Sequence, residues 1–119
     1  MLDIYKLTKT FGNIHAVNAV TFQVKKGETL VLMGPSGCGK STTIRMINRL
    51  IEPDAGKVIF NDINITALTK ASLRQTRQRI GFVFQHFNLI ARLTAIENIM
   101  LGMVMSGIDK NKDYEKALI

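Results

Sequence analysis

Val20, Phe22 and Val24 alternate with Thr21 and Gln23, a period of two that predicts a half-buried strand. Before it, Leu2, Ile4 and Leu7 stand among polar neighbours and predict a first strand. Lys26, Gly27 and Glu28 form a turn signal, so β structure is expected over the first 33 residues. Residues 29–33 are almost wholly apolar, the pattern of a parallel strand buried on both faces. They run into a glycine-rich stretch and then into an expected helix over 40–50, with Ile44, Ile47 and Ile51 on one face. Glu52, Pro53, Asp54, Ala55 and Gly56 stop that helix. Residues 57–60 predict another strand, 70–78 a short basic helix, and 80–84 an apolar strand ending at Gln85. Thr94 and Glu97 have the spacing of a capping box. Ile96, Ile99, Met100, Met103 and Val104 share a face of the helix they open. Ser106 and Gly107 end it, and helix is expected again from Asp109 or Lys110 to Ile119.

With 119 residues, 46% of them hydrophobic and 21% charged, the composition is that of an ordinary globular chain. No repeat and no low-complexity segment stands out. The net charge is +7, from 16 Lys and Arg against 9 Asp and Glu. A basic balance suits phosphate-bearing partners, but the basic residues are spread along the chain, which favours a solvated surface. The single cysteine, Cys38, excludes an internal disulfide and fits a reducing compartment. The N-terminus has neither the basic start nor the apolar run of a signal peptide. The longest mostly apolar run, residues 99–105, is far too short to span a bilayer, so any membrane role calls for a spanning partner.

Gly34, Pro35, Ser36, Gly37, Cys38, Gly39, Lys40 and Ser41 match the phosphate-loop pattern G-x-x-x-x-G-K-[ST]. Chance would produce that match in a chain of this length with odds of roughly 0.4%. The context agrees, with a strand signal leading in and an amphipathic helix leading out. Glycines let the backbone curl until successive N–H groups point inward as an anion nest. The helix N-terminus adds the positive end of its dipole. Lys40 would carry its charge to the β and γ phosphates of ATP, Ser41 would offer a hydroxyl to Mg²⁺, and Thr42 would support the phosphates. Cys38 fills a slot for a small residue, where a bulky thiol reagent would obstruct nucleotide binding.

Many folds carry this loop, and other stretches narrow the choice. Lys9-Thr10-Phe11-Gly12, the extended loop through Thr42 and Thr43, the segment from Ile80-Gly81-Phe82 to Phe87-Asn88-Leu89, and Leu93-Thr94-Ala95-Ile96-Glu97-Asn98-Ile99 together resemble the ATP-binding subunits of ABC transporters. The resemblance runs in order from Leu2 to about Gly102. It implies an α/β fold, a P-loop NTPase of ABC type, present in part: an antiparallel β subdomain, the P-loop strand and helix, and the start of a helical subdomain. Phe11 matches the aromatic residue that stacks on adenine, Ala16 a small apolar contact to the nucleotide, and Gln85 the Q-loop glutamine that reaches Mg²⁺. The implied ligands are therefore ATP and Mg²⁺. The stretch 86–93 is where the family docks a transmembrane permease subunit. Phe87, Leu89 and Ile90 suit such a contact and equally suit a core, and nothing suggests a metal or catalytic role for His86. Residues 45–56 and 84–89 look most like the amino-acid, phosphonate and compatible-solute importers, and 93–102 also looks like lipoprotein-release ATPases. The resemblance places the protein in the cytoplasm, peripheral on the inner face of the membrane. It implies a second ATP-binding subunit as partner and no nucleic acid.

No LSGGQ-type signature, no apolar strand ending in Asp-Glu and no later switch histidine occurs in residues 1–119. Residues 1–119 therefore read as the N-terminal portion of one ABC ATP-binding domain, with a catalytic set incomplete in this chain. Phosphoryl transfer depends on positioned charges of that kind, so the expectation is nucleotide binding with little hydrolysis. A sheet lacking its flanking strands would be prone to association. A soluble phosphate-loop kinase would not carry the Phe11 and Gln85 segments at these places. A nucleic-acid-associated ABC-type ATPase is favoured only by the charge, and a remnant that binds ATP without turnover stays open.

Overall fold

The N-terminal alternation folds as a hairpin, β1 (Leu2–Phe11) pairing antiparallel with β2 (Ile14–Val24). A computed structural model describes residues 1–84 and 88–105. The chain divides into two compact units, Met1–Ile80 and Gly81–Ile119. In the first, β3 (Ala55–Phe60) pairs antiparallel with the other edge of β1 and carries β4 (Ile63–Asn64), giving the order β2-β1-β3-β4.

Strict alternation would send Ile4 and Leu7 to opposite faces, yet both are buried. Lys6 takes a left-handed φ of 45° and the ladder slips between Ile4 and Leu7. The extra residue of this bulge restores both side chains to the core. Ala19, at φ 49°, makes a matching irregularity in β2. Threonine hydroxyls satisfy both irregular residues: Lys6 N–H donates to Thr21 Oγ1 at 2.9 Å and Ala19 N–H to Thr8 Oγ1 at 3.1 Å. β3 crosses β1 so closely here that a Cβ on Gly56 would collide with the backbone of Lys6 and Leu7.

Helix α1 (Lys40–Ile47) rests on this sheet through Met46, fully buried, and Thr43. Helix α2 (Lys70–Arg77) adds Leu73 and Thr76, and a 3-10 turn (Ile65–Ala67) adds Ile65. Ile4, Leu7, Val17, Met46, Val58, Ile65 and Leu73 make one core. Burying Met46 contributes about 2 kcal/mol at the usual value per apolar area.

Helix α1 differs from expectation at its end and at one position of its face, since Ile47 and Ile51 do pack against the core. It stops at Ile47, before Leu50, and Ile44 is 44% exposed while Met46 lies inside. The stop is a Schellman arrangement around Arg49, whose φ is 54°. Leu50 N–H donates to Arg45 O at 2.8 Å and Arg49 N–H to Met46 O at 3.0 Å. Two arginines hold this terminus. Arg49 Nη1 donates to the carbonyls of Ile65 (3.0 Å) and Leu68 (2.8 Å), while its Nε and Nη2 reach the Glu52 carboxylate. Arg77 donates to the carbonyls of Asn48 (2.9 Å) and Arg49 (2.7 Å). The Arg49 guanidinium holds the Glu52 carboxyl below the usual carboxylate range.

Two expected strands do not form. Residues 29–33 and 80–84 have no ladder partner among the described residues. Val31 is 67% exposed, Met33 87% and Val83 96%. Their apolar pattern is that of strands covered on both sides, and such a strand exists only through its neighbours.

In the second unit the capping box forms as expected at the start of α3 (Ala95–Met105). Thr94 N–H and its hydroxyl each donate to Glu97 Oε2 at 2.8 Å, and Glu97 N–H donates back to Thr94 Oγ1 at 3.4 Å. The Thr94 amide, then its hydroxyl, hold the Glu97 carboxyl below its ordinary value. Asn98 fastens the preceding loop by accepting from Ile90 N–H at 2.8 Å and donating to Leu93 O at 3.1 Å. Ile96 and Met100 are half-buried, but Ile99 is exposed. The helix expected from residue 109 or 110 onward lies outside the described residues.

Candidate functional site

The glycine-rich stretch forms an exposed loop that turns directly into α1 at Lys40. Gly39 is the residue before the helix and adopts φ 89°. A Cβ there would fall onto the Ala16 carbonyl oxygen of β2, so both its conformation and its space require glycine. Thr43, one turn on, donates its amide (2.8 Å) and its hydroxyl (3.0 Å) to Gly39 O and locks the loop to the helix. Sequence reasoning gave Thr43 no role. Its place one turn after the last loop glycine was the available signal.

Lys40 folds back over the loop. Its Nζ donates to Gly34 O at 2.7 Å and to Pro35 O at 2.6 Å, and lies 3.3 Å from Cys38 Sγ. No carboxylate pairs with it among the described residues. The loop thus presents an unneutralised cation beside a helix N-terminus, an environment that selects an anion. Ser36 and Gly37 form the exposed turn of the loop. In the first helical turn, Ser41 is exposed and Thr42 half-buried. A group of oxygen anions fits these donors, and a hard cation fits the Ser41 hydroxyl.

Phe11 lies at the end of β1, paired with Ile14 across the hairpin. Phe11 as a residue is 47% exposed, with Lys9 Nζ 5.5 Å from the ring centroid. Ala16, half-buried, is two residues from Ile14, about 7 Å along the strand. Because its carbonyl abuts Gly39, β2 sets the hairpin end beside the loop. Lys9 is itself tied to the turn after α1. Its Nζ donates to Asp54 Oδ1 at 2.6 Å, and Thr10 N–H donates to Asp54 Oδ2 at 2.7 Å. The Lys9 ammonium, then the Thr10 amide, hold the Asp54 carboxyl below its usual value. In the sequence Asp54 reads only as part of a helix stop.

Gln85, His86 and Phe87 lie outside the described residues, so the expected Q-loop position does too. Of the stretch expected to meet a permease, Leu89 is exposed and Ile90 half-buried. Among the described residues no group of three or more His, Cys, Asp or Glu gathers to hold a metal. No described helix is long and apolar enough to cross a membrane. A surface recess of about 430 Å³ on the sheet, lined by Tyr5, Lys6, Ala19 and Lys57 among others, shares no residue with the loop.

Comparison with known proteins places these features in company. The family described as ABC transporter matches residues 17–119. The phosphonates import ATP-binding protein PhnC of Lactiplantibacillus plantarum is 47% identical over 127 residues, covering 99% of this chain and 50% of that protein. The methionine import ATP-binding protein MetN 2 of the same organism is 43% identical over 121 residues, covering 98% of this chain and 35% of that protein. Among solved structures, a dimeric bacterial ABC transporter cassette superposes with a TM-score of 0.90 at 37% identity, over 99% of this chain and 54% of that one. A dimeric post-hydrolysis state of an ATP-binding cassette bound to ADP and Pi gives 0.89 at 36% identity, with the same coverage of 99% and 54%. The chain spans half or less of the length of these two curated relatives.

Proposed function

The chain belongs to the ABC transporter family, and on that premise we propose that it binds Mg-ATP through residues 34–42 and couples ATP to import of a small polar solute. The observation that carries the reading is the Lys40 ammonium, poised over the loop by two carbonyls and unmatched by any described carboxylate. Its carbonyl bonds can be exchanged for bonds to phosphate oxygens without stranding a buried charge. The nest amides and the α1 N-terminus would hold the β and γ phosphates, and Phe11 would stack on adenine. Ser41 and Gln85 would hold Mg²⁺, whose part is to neutralise charge on the terminal phosphates. Hydrolysis, in this reading, needs carboxylates and a signature loop that residues 1–119 do not include, and a second ATP-binding subunit across the site. The dimeric cassettes to which the chain is similar support such a pairing. The names of the relatives support an importer, hence a cytoplasmic subunit attached to the membrane through a permease that contacts residues 86–93.

Calorimetric titration of the protein with ATP in the presence of Mg²⁺ tests the reading. Lys40→Ala should weaken ATP binding at least about tenfold, the loss of one charge-assisted contact. An unchanged affinity in a folded Lys40→Ala protein would remove the basis of the proposal.

A further inference from the structure

Phe11 is not held by its own hairpin alone. Thr10, its neighbour, is fixed by two contacts: its N–H donates to Asp54 Oδ2 at 2.7 Å, and its hydroxyl lies 3.1 Å from His15 Nδ1. Lys9 is fixed by Asp54 Oδ1 at 2.6 Å, and the same ammonium stands over the Phe11 ring at 5.5 Å. Asp54 therefore spends both oxygens on the two residues that precede the aromatic ring. It sits in the turn that leaves α1, and its own amide donates to Thr8 O at 2.9 Å, so that turn is itself sewn to β1. The Lys9 side chain is only 17% exposed, which limits the freedom of its ammonium to wander.

We infer that Asp54 is a positioning residue for nucleotide binding: through Lys9 and Thr10 it fixes the Phe11 ring as a base platform at a set distance from the phosphate loop. The inference rests on the reading of Phe11 as the ring that stacks on adenine. An ammonium over a benzene face draws electron density towards itself. The opposite face then becomes the better partner for an electron-rich purine. The ring is also spared the entropy of being ordered when the base arrives, because its backbone and one of its faces are already engaged. Two ties thus relate the base platform to the phosphate helix. One is the contact of Ala16 with Gly39 at the start of α1, and the other is Asp54 beyond its end.

A ligand without a base separates this role from general support of the fold. Binding of ATP and of inorganic tripolyphosphate, each with Mg²⁺, is compared by calorimetry in the protein and in Asp54→Asn, Lys9→Met and Phe11→Ala. Asp54→Asn and Lys9→Met should each weaken ATP binding about threefold to tenfold and leave tripolyphosphate binding within about twofold. The double variant should be no worse than the more severe single one, because both break one chain of contacts. Asp54→Glu should recover part of the preference for ATP over tripolyphosphate. If Asp54→Asn keeps that preference while Phe11→Ala loses it, the inference is wrong and the stacking reading stands. Equal weakening of both ligands by Asp54→Asn would show a purely structural carboxylate and would also overturn it. A preference untouched by Phe11→Ala would overturn the stacking reading, and the inference with it.

Discussion

Arg49 occupies a place where helices ordinarily end on glycine, and replacing it separates two forces that oppose each other there. A left-handed conformation costs a residue with a Cβ about 1 kcal/mol relative to glycine. Arg49 bears that strain at φ 54° because its guanidinium reaches two carbonyls, those of Ile65 at 3.0 Å and Leu68 at 2.8 Å. Each such bond contributes about 1 kcal/mol net at a partly buried site. The ion pair with Glu52, whose side chain is 63% exposed, adds no more than about 0.5 kcal/mol after solvent screening. Arg49→Ala loses all of these and keeps the strain, so it should cost about 2–3 kcal/mol. Arg49→Gly loses the same bonds but relieves the strain, and should cost about 1 kcal/mol less. Urea unfolding followed by far-UV circular dichroism measures both, and an unchanged slope would certify that only stability has moved. With a slope of about 1 kcal/mol per molar urea, the two variants should differ in midpoint by about 1 M. Equal midpoints would refute the claim that the left-handed turn is strained by a side chain. A loss below about 0.5 kcal/mol in Arg49→Ala would refute the role given to the carbonyl bonds.

Gly39→Ala should abolish retention on immobilised ATP while leaving the far-UV spectrum of the sheet in place, since the new methyl meets the Ala16 carbonyl at the mouth of the loop. Retention equal to the parent protein would mean that the loop does not need its observed path. The Glu97 cap gives a pH dependence of definite sign. Its carboxyl is held below the ordinary value of 4.5, so its contribution to α3 is complete above about that pH and disappears as the pH falls through the depressed value. Glu97→Gln removes that titration. The difference in helical ellipticity between the two proteins should therefore shrink as the solution is acidified from about pH 6 to pH 3. A constant difference would rule out the cap as its source.

What the sequence discloses here is what short stretches of chain decide for themselves. The capping box needs only Thr94 and Glu97, three residues apart, and it forms as its spacing requires. The alternation of Val20, Phe22 and Val24 yields half-buried positions between exposed Thr21 and Gln23 because one strand face meets the core. The glycine spacing of the phosphate loop predicts the turn into α1 at Lys40 because conformational freedom belongs to each glycine singly. The failures concern partners distant in sequence. The apolar run 29–33 announces a strand with two covered faces, but covering is supplied by other strands, and among the described residues none pairs with it. Helix α1 ends at Ile47 in a turn that carbonyls of Ile65 and Leu68 brace by accepting from Arg49, bonds across 16 and 19 residues that no local preference encodes. Asp54 was hidden for the same reason. In sequence it ends a helix, and only the approach of β1 turns its two oxygens towards Lys9 and Thr10. The loop that would hold phosphate is thus written locally, while the distance from that loop to the base platform is set by tertiary contacts. Substitutions that change how tightly the base is held should accordingly cluster at residues such as Lys9 and Asp54, outside the motif by which the loop is recognised.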